Sequence, residues 1–315
     1  MSCINRISIE GKHERHSVPC GKCEFCLSRR ASQWRFRLWQ EQKVSDSAYF
    51  ITLTYNDRMI PRSEEGIPQL DKTDIQKFFK RVRKHQWYYI RKITGMTNGE
   101  IRKKVKPIRY YACGEYGSKT MRPHYHFIVF NIIKEIVNKI PELWTTQDQW
   151  VDLSTGEIID QKLQMGHVHI GTCNAKTIAY TTKYMLKGSV APNGCNPPFQ
   201  IMSKGLGKAY LTKDMIRYHL SNKSLTVRNA NGSYQQMPRY YQDMIVDGKK
   251  YEGVKLFSDL FKKQNAKKIT QEIDKLEQKQ YDKETRLGNN YFKSAQEQKI
   301  KKQKDINKQS KDNTL

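Results

Sequence analysis

The run Arg122-Pro123-His124-Tyr125-His126-Phe127-Ile128-Val129-Phe130 constrains the fold of this chain more than any other stretch. Its aromatic and β-branched residues favour extended backbone. In a strand, residues i and i+2 project from the same face, so His124 and His126 would stand side by side over one sheet surface. Two imidazoles so placed can share a metal ion, and they can equally be the polar side of a half-buried strand. The preceding stretch, PIRYYACGEYG, reads as a second strand that carries Glu115 near its end. Antiparallel pairing of the two would bring Glu115 close to His124 and His126. One carboxylate and two imidazoles suit Mg²⁺ or Mn²⁺ with open coordination positions, which can neutralise charge on a scissile phosphate. The plainer role for Glu115 is a turn residue in a surface ion pair.

Charge indicates the partner. The 315 residues include 57 Lys and Arg against 31 Asp and Glu, a formal net charge of +26. Such an excess favours a polyanion, and nucleic acid is the commonest one. Apolar runs fall short of the roughly 20 residues that a spanning helix needs. The opening MSCINRISIEGKHERHS has no apolar signal core, so the expectation is a cytoplasmic polyanion binder without a membrane role.

Seven cysteines are unevenly spread. Cys20, Cys23 and Cys26 form a CxxCxxC cluster in PCGKCEFC, with Cys3 upstream. In a reducing compartment this spacing favours metal ligation over disulfides. Cys3 as a fourth thiolate would complete a tetrahedral structural zinc site. An iron–sulfur cluster, or four reduced thiols around a tight turn, also fits the spacing. Cys113, Cys173 and Cys195 are isolated and read as small apolar residues.

The organisation follows from periodicity and turn signals. A helix is expected from Leu27 to Lys43, a strand over Ala48–Asn56, and an acid-capped amphipathic helix in LDKTDIQKFFKRVRKHQ. The basic stretch from Lys92 to Arg109 reads as a loop or hairpin. After the two strands come a helix over Lys134–Trp144, a strand in GHVHIGTC, and a helix that Asn174 caps, AKTIAYTTKYMLK, ending at Gly188. The order strand, helix, strand, strand, helix, strand, helix implies an α+β fold of ferredoxin-like order with a central antiparallel sheet. TVRNANGSYQQMPRYYQ reads as a hairpin turning at Asn231-Gly232. Tyr240 and Tyr241 are expected there on extended backbone, pointing oppositely. The expected division is 1–45 (cysteine segment and helix), 46–190 (core), 191–255 (a small appended α/β region) and 256–315 (a basic helical or disordered tail).

On the Asn174-capped helix, Tyr180 and Tyr184 are i and i+4 and share a face, with Lys183 and Lys187 three residues beyond each. A phenol at its free pKa of about 10 is a poor nucleophile and needs cationic neighbours or a polarised target. Taken alone, two tyrosines one turn apart are an aromatic face on a core. A second HxH pair, His167 and His169 in GHVHIG, reads as incidental, with His167 an outside choice as ligand.

Glu115, His124-x-His126 and Tyr180-x-x-Lys183-Tyr184 together resemble the HUH endonucleases with two tyrosines, the rolling-circle replication initiators. FITLTY (Phe50–Tyr55) is similar to that superfamily's first motif, RPHYHFIVF to its second and AYTTKYMLK to its third. With PCGKCEFCLSRRASQW, the match narrows to the replication initiation proteins of microviruses, especially the gokushovirus-like branch, over roughly Cys20 to Tyr210. The resemblance implies an HUH-type α+β domain that nicks and rejoins DNA at a phage origin in the host cytoplasm. It implies His124 and His126 as the metal pair, Glu115 as third ligand, Tyr180 and Tyr184 as nucleophiles and Lys183 as the phosphate-facing cation. The implied partners are single-stranded or supercoiled origin DNA, a host polymerase and a helicase. Competing readings are a plasmid-type initiator, a relaxase-like nickase, and a noncatalytic, metal-stabilised DNA binder.

Overall fold

The computed structural model describes residue 3 and residues 5–10, 15–151, 158–183, 191–222 and 224–247, together with 275 and 278 in the tail. Tyr184, Lys187 and nearly all of the expected tail lie outside them. The chain divides into two compact units, each discontinuous in sequence. One comprises residues 45–177, 189–204 and 303–315; the other comprises 1–44, 178–188 and 205–302.

The first unit is built on five antiparallel strands: β3 (Ala48–Thr54), β4 (Arg109–Tyr116), β5 (Pro123–Phe130), β8 (Val168–Thr172) and β9 (Phe199–Met202). They lie side by side in the order β8-β3-β5-β4-β9. The α+β class with a central antiparallel sheet is therefore observed. Strict alternation separates its two faces. Leu53, Ala112, Tyr125, Phe127 and Val129 point to one side and join a core with α2 (Lys72–Thr94). That helix presents Ile75, Phe78, Phe79 and Val82, the i, i+3, i+4, i+7 stripe of an amphipathic helix. Phe79 stacks on Tyr110 with centroids 3.7 Å apart and meets Phe127 edge-on at 5.4 Å. Asp71 caps α2 by accepting from the Thr73 amide at 2.6 Å, and Gly95 ends it in the left-handed region.

The opposite face carries Phe50, Thr52, Thr54, Glu115, His124 and His126. Tyr55, at the end of the FITLTY run, is 1% exposed and is fixed by its hydroxyl, which donates to Asp74 at 2.7 Å and bonds the Tyr125 hydroxyl at 2.8 Å. Burial, together with the neighbouring Tyr125 and Asp74, pushes its phenol far above the usual range, so Tyr55 is a structural group.

Several local expectations are corrected. The stretch from Lys92 to Arg109 is not a loop or hairpin: α2 continues to Thr94 and a further helix, α3, spans Asn98–Lys104. Thr97 and Glu100 form a reciprocal capping box that initiates α3 despite its basic composition. The single helix expected over Lys134–Trp144 is two short ones, α4 (Lys134–Val137) and α5 (Ile140–Leu143), because Pro141 fits a first helical turn but not a helix interior. Two hairpins have no counterpart among the expected elements: β1 (Ile7–Glu10) with β2 (Arg15–Val18), and β6 (Thr145–Val151) with β7 (Ile158–Gln164). Tyr240 and Tyr241 lie in α8 (Arg239–Asp247) rather than on extended backbone, and Pro238 just before it favours helix initiation.

In the second unit, α1 (Glu24–Val44), α7 (Lys213–Asn222), α8 and the hairpin β10 (Thr226–Arg228) with β11 (Tyr234–Gln236) enclose a small core. Phe36, Ile216, Val227, Met237 and Tyr241 form its centre. The KGLGK loop is locked into α1 and α8 through Gly207. Its amide donates to Glu41 Oε2 at 2.7 Å and its carbonyl accepts from the Tyr241 hydroxyl at 2.7 Å. Gly207 has φ +74°, and a Cβ there would lie 2.6 Å from both the Arg37 carbonyl oxygen and the Tyr241 hydroxyl. Gly207→Ala is therefore expected to cost about 3 kcal/mol or more, from left-handed strain plus the clash, and denaturant unfolding would measure it. An unchanged midpoint would refute this account of the loop.

Candidate functional site

The register of β4, β5 and β3 assembles the first site. Glu115 pairs with His124, Cys113 with His126, and Thr52 with His126 on the other side. Glu115 and His126 are both 5% exposed. Glu115 Oε1 sits 2.8 Å from His124 Nε2 and 3.2 Å from His126 Nε2. The far nitrogens are also engaged. His124 Nδ1 is 3.1 Å from the Arg122 carbonyl oxygen, an obligate acceptor, so Nδ1 carries the proton there. His126 Nδ1 is 2.9 Å from Thr52 Oγ1, and Phe50 stacks against the His126 ring at 5.6 Å.

This arrangement turns the His124 Nε2 lone pair of the neutral ring toward a carboxylate oxygen. Two acceptors at 2.8 Å need a cation between them, either a proton or a metal ion. The separations of 2.8 and 3.2 Å bracket the roughly 3.0 Å edge of an octahedron with metal–ligand bonds of about 2.1 Å. The donor set thus fits a small divalent ion. Thr52, Phe50 and the Arg122 carbonyl hold the ligands in place, the usual outer support of metal-binding histidines. Sequence reasoning missed them. Alternation placed Thr52 and Phe50 on one face, but only the pairing of β3 with β5 shows which face that is.

Thr52→Val keeps the shape and removes the hydroxyl from His126 Nδ1. It should weaken Mn²⁺ binding about tenfold, read by calorimetric titration, with little change in melting temperature. Equal affinity would remove Thr52 from the site.

The second HxH pair stands apart from this cluster. His169 is opposite Thr52 on β8, and the Thr54 amide donates to the His167 carbonyl at 3.0 Å. Both histidines are exposed and one strand beyond β3, about 10 Å from the β5 pair by strand spacing. Gly166 explains the close approach there: a Cβ would lie 2.1 Å from the Thr54 carbonyl oxygen.

Tyr180 and Lys183 lie on α6 (Ala175–Lys183), which Asn174 caps by accepting from the amides of Lys176 at 2.9 Å and Thr177 at 3.0 Å. Ile178, Thr181 and Thr182 form its buried stripe. Tyr180 is 48% exposed and Lys183 is also exposed, so Tyr180 is no buried core aromatic.

The structure also gathers Cys3, Cys20, Cys23 and Cys26, whose sulfurs all lie within 4.8 Å of one another. Cys3 and Cys23 are 3.7 Å apart and Cys20 and Cys26 4.0 Å, while a tetrahedral site with Zn–S bonds of about 2.3 Å has edges of about 3.8 Å. Burial works to raise the Cys20 thiol, but the Lys22 and Cys23 amides donate to its sulfur and bring it down to about 7. Burial pushes Cys3 and Cys26 up.

Comparison with known proteins places this geometry in a class. Residues 48–189, from the first residue of β3 to beyond α6, match the family model of the replication-associated protein ORF2 type. The particular likeness is to microvirus replication-associated proteins. The chain is 29% identical to Replication-associated protein ORF2 of Spiroplasma virus 4 over 227 residues, 71% of this chain and 66% of that protein. It is 28% identical to Replication-associated protein VP4 of Bdellovibrio phage phiMH2K over 235 residues, 72% of this chain and 67% of that protein. It is 23% identical to Replication-associated protein ORF4 of Chlamydia phage 1 over 259 residues, 78% and 58% of the two chains. No solved structure matches. Among the described residues, no helix is long and apolar enough to cross a membrane.

Proposed function

We propose that this chain is a phage replication initiator that nicks and rejoins origin DNA through a tyrosine nucleophile with the help of a divalent ion. The observation that carries the reading is the convergence of Glu115 Oε1 with two oriented imidazole nitrogens. The named likeness to phage replication-associated proteins supports it.

When bound by Glu115, His124 and His126, Mg²⁺ or Mn²⁺ supplies charge neutralisation at a phosphodiester. Phe50 and Thr52 keep His126 from turning, so the ligand set costs little reorganisation. Tyr180 provides the phenol oxygen that bonds to phosphorus while the bond to the 3′ oxygen breaks. The phenol proton leaves Tyr180, a proton is delivered to the 3′ oxygen, and a 5′-phosphotyrosine and a free 3′-OH remain. Lys183, one turn from Tyr180, offers the cation that favours the phenolate and the phosphate near it. Tyr184 serves as the second nucleophile after one round of synthesis by a host polymerase, with a host helicase opening the duplex. It takes the regenerated junction, and the new 3′-OH displaces Tyr180 to close the circle.

The test is covalent capture on single-stranded circular DNA bearing the origin, with Mn²⁺ present. Wild-type protein should give a denaturation-resistant adduct that disappears in the Tyr180→Phe/Tyr184→Phe double variant and in His124→Ala. An adduct that survives the double variant would show that other tyrosines act. Tight binding without any adduct would favour a noncatalytic DNA binder.

A further inference from the structure

The second compact unit holds an open groove of about 960 Å³ that lies wholly within its own elements. Trp39 of α1, Tyr210 and Val227 of β10 contribute to its lining, and all three belong to the unit's core cluster. Tyr218 on α7 and Tyr234 on β11 also line it and expose 55% and 73% of their surfaces. Exposing two large aromatic rings at one concavity is costly unless something stacks on them. Lys43 and Arg228 add cationic groups, and no residue that lines the groove is acidic. Asp214, the nearby acid on α7, is paired with Arg217.

His219 is a scaffold piece here rather than a cation. It is 1% exposed, its Nε2 lies 2.8 Å from the Tyr210 hydroxyl, and its Nδ1 lies 2.9 Å from the Ser224 carbonyl oxygen. Burial holds its pKa below the usual histidine value.

Aromatic planes interleaved with cations and free of carboxylates are the chemistry of single-strand recognition, where bases stack on rings and phosphates meet Lys and Arg. The geometry points to this groove as a single-stranded DNA-binding subsite, with Tyr218 and Tyr234 as its stacking platforms. Duplex DNA buries its base faces and has nothing to offer exposed tyrosine rings. The chain's own Lys-rich C-terminal segment repels a basic groove. This inference rests on the reading that the chain acts on DNA, but it does not depend on nicking.

The experiment measures binding of a fluorescent oligo-dT to the full chain by anisotropy, in EDTA so that the Glu115 site takes no part. Tyr218→Ala/Tyr234→Ala is expected to weaken binding about 30-fold or more, whereas Tyr218→Phe/Tyr234→Phe keeps both planes and stays within about twofold. Both side chains are exposed, so the melting temperature should not move. Unchanged affinity in the alanine variant overturns the assignment. Wild-type binding that is as tight to a duplex of equal length overturns it too. Tyr180→Phe/Tyr184→Phe protein serves as the independent arm. It should bind oligo-dT like wild type, so a loss of adduct and a loss of groove binding report separately.

Discussion

Glu115→Gln is expected to abolish measurable adduct formation, a loss of about 100-fold or more, and to lower Mn²⁺ affinity at least as strongly. The argument is electrostatic. Glu115 is 5% exposed and its Oε1 faces two imidazole nitrogens. A buried carboxylate is tolerated only when a cation or hydrogen-bond donors compensate it, and a divalent ion would do both. Glutamine retains the shape but replaces one oxygen with a donor and removes the charge, so two neutral imidazoles and an amide remain to bind the ion. In metal-free protein the same change relieves a desolvated charge, and the melting temperature should hold or rise. The pair of readouts matters. Lost metal affinity with preserved or raised stability identifies a ligand retained at some cost to the fold. Unchanged Mn²⁺ affinity in calorimetry would remove Glu115 from the ligand set. Lost affinity accompanied by a large fall in stability would instead make Glu115 a structural partner of the histidines.

That juxtaposition is legible in the sequence because strands impose a rigid period. PHYHFIVF alternates without a break, and RYYACGEY precedes it across a short turn that contains Gly117. Once the two are paired as antiparallel neighbours, Glu115 opposite His124 follows from counting. The support from Thr52 and Phe50 is less legible, since no local signal says that β3 lies beside β5 rather than at an edge. Around Lys92–Arg109 the failure is different. A run of basic residues suggests solvated loop, yet Thr97-x-x-Glu100 is a capping signature, and hydrogen bonds at a helix start outweigh composition. Tyr240 and Tyr241 escape a local reading because Pro238 suits the end of a hairpin, while proline equally favours the start of a helix. The groove on the second unit is invisible to any local reading, because Lys43, Tyr218 and Tyr234 come from elements far apart in the chain.

Removal of metal from the cysteine cluster should have the largest effect on stability. Purified protein is expected to carry about one zinc per chain, and prolonged chelation should unfold the segment that Cys3, Cys20, Cys23 and Cys26 tie together. The reasoning starts from how little else holds it. These four cysteines form a cluster of their own, joined only by Phe25 at its margin, and β1 is exposed along its whole length. A hairpin of two four-residue strands is marginal in water without a further anchor. The sulfur separations of 3.7 and 4.0 Å are far longer than the roughly 2.05 Å of a disulfide and match a tetrahedral edge. Without an ion, burial favours protonated thiols at Cys3 and Cys26, which leaves polarizable groups crowded together for little gain. With one, the thiolates are neutralised together, and binding free energy becomes folding free energy, about 10 kcal/mol or more in small zinc modules. Cys26 lies in the first turn of α1, and the same helix delivers Phe36 to the second unit's core, so the loss should spread along it. Cys23→Ser should therefore reduce zinc content below half and lower the melting temperature. Full thermal stability in a protein with no zinc and four thiols that react with a thiol reagent would show that the cluster needs no metal.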